Sequence, residues 1–220
     1  MKVQRLRVTF ARGDLLRYIT HLDLMRSWER AIKRAALPIA YSEGFTRHPQ
    51  LALAAPLPVG ATAEGELMDV FLESAIDPHQ FHDRLSLQTP PGLSIERVDE
   101  VPLNLPSLQS LVKEWTWRAQ FPPDVDPEVV REQVDQFLER DSFPWEQRRE
   151  KEVKRFDLRA LVLDIDVESR PEGPAFVARF KAEAGGRPEQ LAAAMGYDPH
   201  LIRMHRLSLG LGVPSQAAIG

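Results

Sequence analysis

THLDLMRSWERAIKRAALPIAYSEGFTRHP, residues 20–49, decides how the rest of the chain is read. Thr20 stands where an N-cap belongs, and Asp23, three residues on, takes the acidic place of a capping box. At about 100° per residue, Leu24, Met25, Trp28, Ala31, Ile32 and Ala35 share one side of the predicted helix. Arg26, Arg30, Lys33 and Arg34 fall on the opposite side, and Leu37-Pro38 ends the helix. A helix with one apolar stripe needs a sheet or another helix to cover it, so the flanking segments must supply that surface.

They read as strands. VQRLRVTF, residues 3–10, alternates, with Val3, Leu6, Val8 and Phe10 apolar. After the loop, Leu51 to Leu57 reads as a buried strand and Glu66 to Glu73 as its neighbour. Asp77-Pro78 opens a short helix to Leu87 with proline at its first position, and Leu93 to Val98 is a last strand. The order β-α-β-β-α-β is the split ferredoxin-like unit. The second half repeats it: strand from Leu111 to Phe121, helix from Asp126 to about Arg140, and strands Arg155–Val167 and Ala175–Ala182. A helix then runs from Arg187 to about Met195, followed by strand Leu201–Leu209. The expectation is an α+β protein of two tandem ferredoxin-like domains, residues 1–101 and 102–220, joined across Pro102–Pro106.

Composition bounds the chemistry. There is no cysteine, so disulfides, thiolate zinc sites, cysteine nucleophiles and cysteine-ligated iron–sulfur clusters are excluded. No apolar run approaches the roughly 20 residues needed to cross a bilayer. The opening MKVQRLRVTF lacks the apolar core of a signal peptide, so a cytoplasmic location is expected, with no membrane partner. The net charge of −4 hides an asymmetry: residues 1–47 hold 10 Lys/Arg against 4 Asp/Glu, and residues 48–101 hold 2 against 9. Clustering of this kind matters more to a polyanionic partner than the total does.

Two features can carry chemistry. Arg26, Arg30 and Arg34 are spaced to meet phosphates, although a solvated face or pairing with the acidic 48–101 segment explains them as simply. The loop that follows brings Ser42, Glu43, Gly44, Phe45, Arg47 and His48 together in sequence. Gly44 permits close backbone approach to a ligand, Phe45 can stack or anchor, and Arg47 is a fork-shaped donor to phosphate. His48 and His21 are candidate acid–base groups, and with Asp23 and Glu43 they have the makings of a His/carboxylate metal site. For Asp23 the plainer role is capping, and no metal or cofactor is expected. His79 and His82, an i, i+3 pair, read as surface residues. A second basic run, Arg148, Arg149, Lys151, Lys154, Arg155 and Arg159, can either extend a nucleic-acid groove or guard an exposed strand edge.

The run from Thr20 to Asp69 resembles the signature of a bacterial domain of unknown function linked to radical SAM proteins, SHLDLMR…RA.RRA.LP.AYS.GF.PHP…A.PLP.G…E..D. Residues 5–73 carry the resemblance most closely, and KRFDLRALVLDI at 155–166 is similar to a later segment. Thr20 replaces the usual Ser, and Thr46-Arg47 the usual Asn-Pro. The resemblance implies an accessory module for a radical SAM protein, with RNA (tRNA, rRNA or the ribosome) as candidate partner. Without cysteines, the chain is not itself the radical SAM enzyme. The tandem architecture is similar to the RAMP-type CRISPR RNA-processing endonucleases. Three readings follow: a substrate-presenting RNA-binding module, a metal-independent endoribonuclease using His48 or His21, and a protein-interaction module docking a radical SAM partner.

Overall fold

In β1 (Gln4–Arg12), Leu6, Val8 and Phe10 are buried on one face, and the pleat turns Arg5 and Arg7 to the other. A computed structural model describes residues 1–43, 47–148, 153–182 and 186–212. They form two units, Met1–Val112 with Leu211 and Gly212, and Lys113–Gly210. The architecture is mixed α+β, with mostly antiparallel strand pairing. No helix among the described residues is long and apolar enough to cross a membrane.

In the first unit β1 is followed by α1 (His21–Arg34), β2 (Leu51–Leu53), β3 (Thr62–Leu72), α2 (Pro78–Ser86), β4 (Leu93–Val101) and α3 (Leu108–Leu111). β1 lies between β4 and β3, and β2 pairs with β3, giving the order β4-β1-β3-β2. Both helices bury their apolar sides on the sheet face that carries Leu6, Val8, Phe10, Met68, Val70 and Leu72. Trp28 of α1 meets Phe10 edge-on, with ring centroids 5.0 Å apart. The strand predicted over 51–57 stops at Leu53, because Pro56 and Pro58 have no N–H to continue a ladder.

α1 ends one step earlier than Leu37-Pro38 implies. Ala36 takes a left-handed φ of 49°, its N–H reaches the Lys33 carbonyl, and the Leu37 N–H reaches the Ile32 carbonyl. This is a Schellman stop with alanine in the glycine place, at a cost of about 1 kcal/mol. The missing glycine is why the sequence conceals it.

In the second unit β5 (Val112–Gln120), α4 (Pro127–Leu138), β6 (Pro144–Arg148), β7 (Val153–Asp157), α5 (Leu158–Leu161), β8 (Val162–Arg170), β9 (Gly173–Lys181), α6 (Pro188–Ala194) and β10 (Arg203–Leu211) follow in turn. The main strands lie in the order β10-β5-β9-β8. The single strand expected over 155–167 is in fact two. Asp157 ends the first by capping a helical turn: its Oδ1 accepts from the N–H groups of Phe143, Arg159 and Ala160 at 2.8, 3.0 and 3.4 Å. Ahead of that turn β6 and β7 form a hairpin that is a separate two-stranded sheet.

The side of β1 facing away from α1 and α2 holds a buried ion cluster. Arg5 Nε and Nη2 donate to Asp69 Oδ2 at 2.9 and 2.5 Å, and Arg7 Nε donates to Oδ1 at 2.8 Å. Asp69 is fully buried and Arg5 is 2% exposed. The remaining Arg5 donors reach the carbonyls of Leu105 and Pro106 at 2.7 and 2.9 Å, so the proline-rich segment is tied back onto the sheet. One carboxylate faces two guanidiniums. Removing it leaves Arg5 buried and uncompensated, so Asp69→Ala is expected to lower stability by about 3–5 kcal/mol in urea unfolding. A loss below about 1 kcal/mol would mean that the cluster relaxes into water.

Candidate nucleic-acid interface

The first turn of α1 is built by its cap. The Thr20 hydroxyl accepts from the Asp23 N–H at 3.2 Å and donates to Asp23 Oδ2 at 2.7 Å. The hydrogen bond from Thr20 holds the Asp23 carboxyl below the usual carboxylate range, and Arg26, 3.4 Å away, adds to the effect. Asp23 is therefore a capping carboxylate, and His21 beside it is an exposed first residue of the helix.

Beyond this turn the outward side of α1 is cationic and exposed. Arg30 donates to Ser27 Oγ at 3.3 Å. Arg34 donates to the Gln88 carbonyl at 2.6 Å and to Gln88 Oε1 at 3.3 Å. Lys33 is exposed between them. Arg84, from α2, joins this end of the helix by donating to the carbonyls of Ala35 and Ala36 at 2.7 and 2.6 Å. Helix ends leave carbonyls without partners, and Arg84 satisfies two of them. Sequence reasoning missed Arg84 because it lies in the acidic 48–101 segment; only the packing of α2 beside α1 brings it here.

The partners of these cations decide between a paired face and an available one. Among the described residues, Arg30, Arg34 and Arg84 meet neutral oxygens, and none of the three makes an ion pair. Arg26 alone on this helix has a carboxylate, Asp23. Among the described residues, the acidic segment supplies no ion pair to the strip. Lys33 and Arg34 also sit favourably at the negative end of the helix dipole, which explains their tolerance there without consuming their charge.

The loop after α1 is closed at its base. Ser42 N–H donates to the His48 carbonyl at 2.9 Å, and His48 N–H donates to Ser42 Oγ at 3.0 Å. Tyr41 bridges to Pro49, and Ala40 N–H reaches the Phe71 carbonyl at 2.8 Å, fixing the base on the edge of β3. Ser42 is thus a structural latch. Glu43, Arg47 and His48 are exposed, while Gly44 and Phe45 lie outside the described residues. Among the described residues no hydrogen bond or ion pair joins His21, Glu43 or His48 to another of these groups, and no cluster of three or more His, Asp or Glu could hold a metal. Among the described residues, neither imidazole has a ring hydrogen bond to an orienting group. Of the remaining sequence candidates, His82 bonds Asp83 and the Ile95 carbonyl at 3.0 and 3.3 Å. Arg159 braces the carbonyls of Leu138 and Val162 at 3.3 and 3.2 Å, and Arg149 and Lys151 lie outside the described residues.

Residues 5–193 match the model of the family described as "Uncharacterized protein conserved in bacteria (DUF2344)", and the chain belongs to it. No curated protein matches the chain. Among solved structures it is similar to a chain of a Cbf5-Nop10-Gar1 complex, at 11% identity and a TM-score of 0.43, over 92% of this chain and 49% of that one. A chain of an H/ACA RNP bound to a substrate RNA is similar at 12% identity and a TM-score of 0.42, over 92% and 47%. An unknown protein from Galdieria sulphuraria aligns at 13% identity and a TM-score of 0.27, over 96% and 99%. The chain spans about half the length of the first two.

The cap sets a pH dependence. The Asp23 carboxyl titrates lower in the folded chain than in the unfolded one, so its contribution is complete above the ordinary carboxylate range and is lost as pH falls through the depressed folded value. Thr20→Ala should cost about 1 kcal/mol near neutral pH. Thermal unfolding of wild type and variant should draw closer as the medium is acidified, the pH-independent bond from the Asp23 N–H keeping a residual gap, and a constant gap would show that the hydroxyl bond to the carboxylate contributes nothing.

Proposed function

We propose that this member of the family is an accessory RNA-binding module that meets phosphates with the strip Arg30, Lys33, Arg34 and Arg84. The observation that carries the reading is the partnering of those cations: neutral oxygens orient the three guanidiniums without matching their charge. Each is held in place before a ligand arrives, which lowers the ordering cost of binding. A polyanion then supplies what the fold withholds. The order β4-β1-β3-β2 in one unit and β10-β5-β9-β8 in the other supports reading both as ferredoxin-like modules of the RAMP type. The helices of such a module leave outward faces free. Fold alone does not give the function, so the claim stands on the strip.

The resemblance supplies the rest of the proposal. The chain would present RNA, from tRNA, rRNA or the ribosome, to a radical SAM partner that performs the chemistry. The module itself need contribute no catalytic group. The loop with Arg47 and His48 would lie among the surfaces that contact the ligand or the partner.

Binding of labelled tRNA is expected to weaken steeply with salt, with a log–log slope of about −0.7 to −0.9 for each phosphate neutralised. The Arg30→Ala, Lys33→Ala, Arg34→Ala triple variant should make that slope shallower by about two. An unchanged slope in a folded triple variant would remove α1 from the interface. In a pull-down from cells, a radical SAM protein that survives nuclease treatment would instead favour direct protein docking.

A further inference from the structure

The β6–β7 hairpin holds a second site, on the other unit. Trp145 and Phe156 are directly paired across the two strands, so both rings lie on one face of the hairpin. Lys154, two residues from Phe156 and so on the same face, places its Nζ 6.0 Å from the Phe156 ring centre. Phe143 continues the aromatic row, 6.3 Å from Trp145 and 5.6 Å from Phe137 of α4, which roots the hairpin in the core. Arg140 sits over the Phe143 ring at 5.2 Å.

A cleft of about 440 Å³ opens at this hairpin, lined by Trp145 and Phe156 together with Ser142, Pro144, Glu146 and Arg155. Its volume lies within the range of about 300–1,000 Å³ typical of small-ligand pockets. Both rings are only half-buried, so the hairpin does not use them up as core. Two carboxylates at the cleft are already engaged. Glu146 receives Arg155 Nε at 3.1 Å, and Asp157 is engaged by the three backbone N–H groups that it caps.

We infer that this cleft takes an unpaired base of an RNA single strand, stacked on Trp145 and Phe156, with Lys154 beside the sugar-phosphate chain. Aromatic rings bordered by cations are what single-stranded nucleic acid selects: every base offers a flat face to stack, and the backbone offers negative charge on either side of it. A duplex hides those faces inside its own stack, so the cleft discriminates between unpaired and paired RNA. The inference deepens the RNA-binding proposal but rests on different residues, and the two can fail separately.

The test uses the full chain and two labelled probes, an oligouridylate of about twelve nucleotides and a duplex RNA of similar length, read by fluorescence anisotropy. Trp145→Ala should weaken oligouridylate binding by about fivefold or more and leave duplex binding unchanged. Trp145→Phe, which keeps a stacking ring, should restore most of the loss. The α1 triple variant should weaken both probes alike if the first proposal holds; if it weakens neither while Trp145→Ala still acts, that proposal falls and this one stands. No oligouridylate binding by wild type, or equal loss of both probes in Trp145→Ala, overturns the inference. So does unchanged oligouridylate binding by a Trp145→Ala chain whose circular dichroism is native. Should Trp145→Ala not fold, the comparison of Trp145→Phe with Lys154→Ala decides. Lys154→Ala should weaken the single strand by at least twofold, and if it leaves that probe untouched the cleft is not the site.

Discussion

The edge-on contact of Trp28 with Phe10 settles the first unit's functional geometry. It commits one side of α1 to the sheet, and with Leu24, Ala31 and Ile32 buried beside it the helix cannot roll. The cations of α1 then face water as a matter of geometry. A helix that must bury indole and aliphatic surface at positions 24, 28, 31 and 32 leaves 26, 30, 33 and 34 exposed on its outward side. The order of the chemistry is packing first and electrostatics second.

That order explains which parts were legible in the sequence. The cap at Thr20, the amphipathic stripe and the proline-started helices at Pro78, Pro127 and Pro188 are local signals, and each element stands where its residues place it. Signals that depend on partners distant in sequence were not legible. Arg84 reads as one more charge in an acidic stretch until α2 lies beside α1. The Schellman stop at Ala36 carries no glycine to announce it. Asp157 looks like a charged strand residue, yet three backbone N–H groups turn it into a cap that splits a strand and frees a hairpin. The loop was read for its side chains, whereas what the fold shows is its closed base.

Cations can be placed in a fold in two ways, and the first unit uses both. Arg5 and Arg7 are buried against a carboxylate and serve cohesion. Arg30, Arg34 and Arg84 are held by hydroxyl, amide and peptide oxygens at the surface. The residue type is the same, and sequence cannot separate the two uses; the identity of the acceptor can.

The ties from Arg5 to Leu105 and Pro106 bear on where the first unit may be cut. The run Pro102-Leu103-Asn104-Leu105-Pro106 has the composition of a hinge, the place at which a protease or a genetic truncation would be aimed. Yet the peptide oxygens of that segment complete the coordination of a guanidinium shut inside the sheet, and Gln109 just beyond it donates to the Leu53 carbonyl at 2.6 Å. A fragment ending at Val101 would strand those donors. The compact unit that holds β1 runs through α3 to Val112, so its border follows hydrogen-bond satisfaction more closely than chain composition.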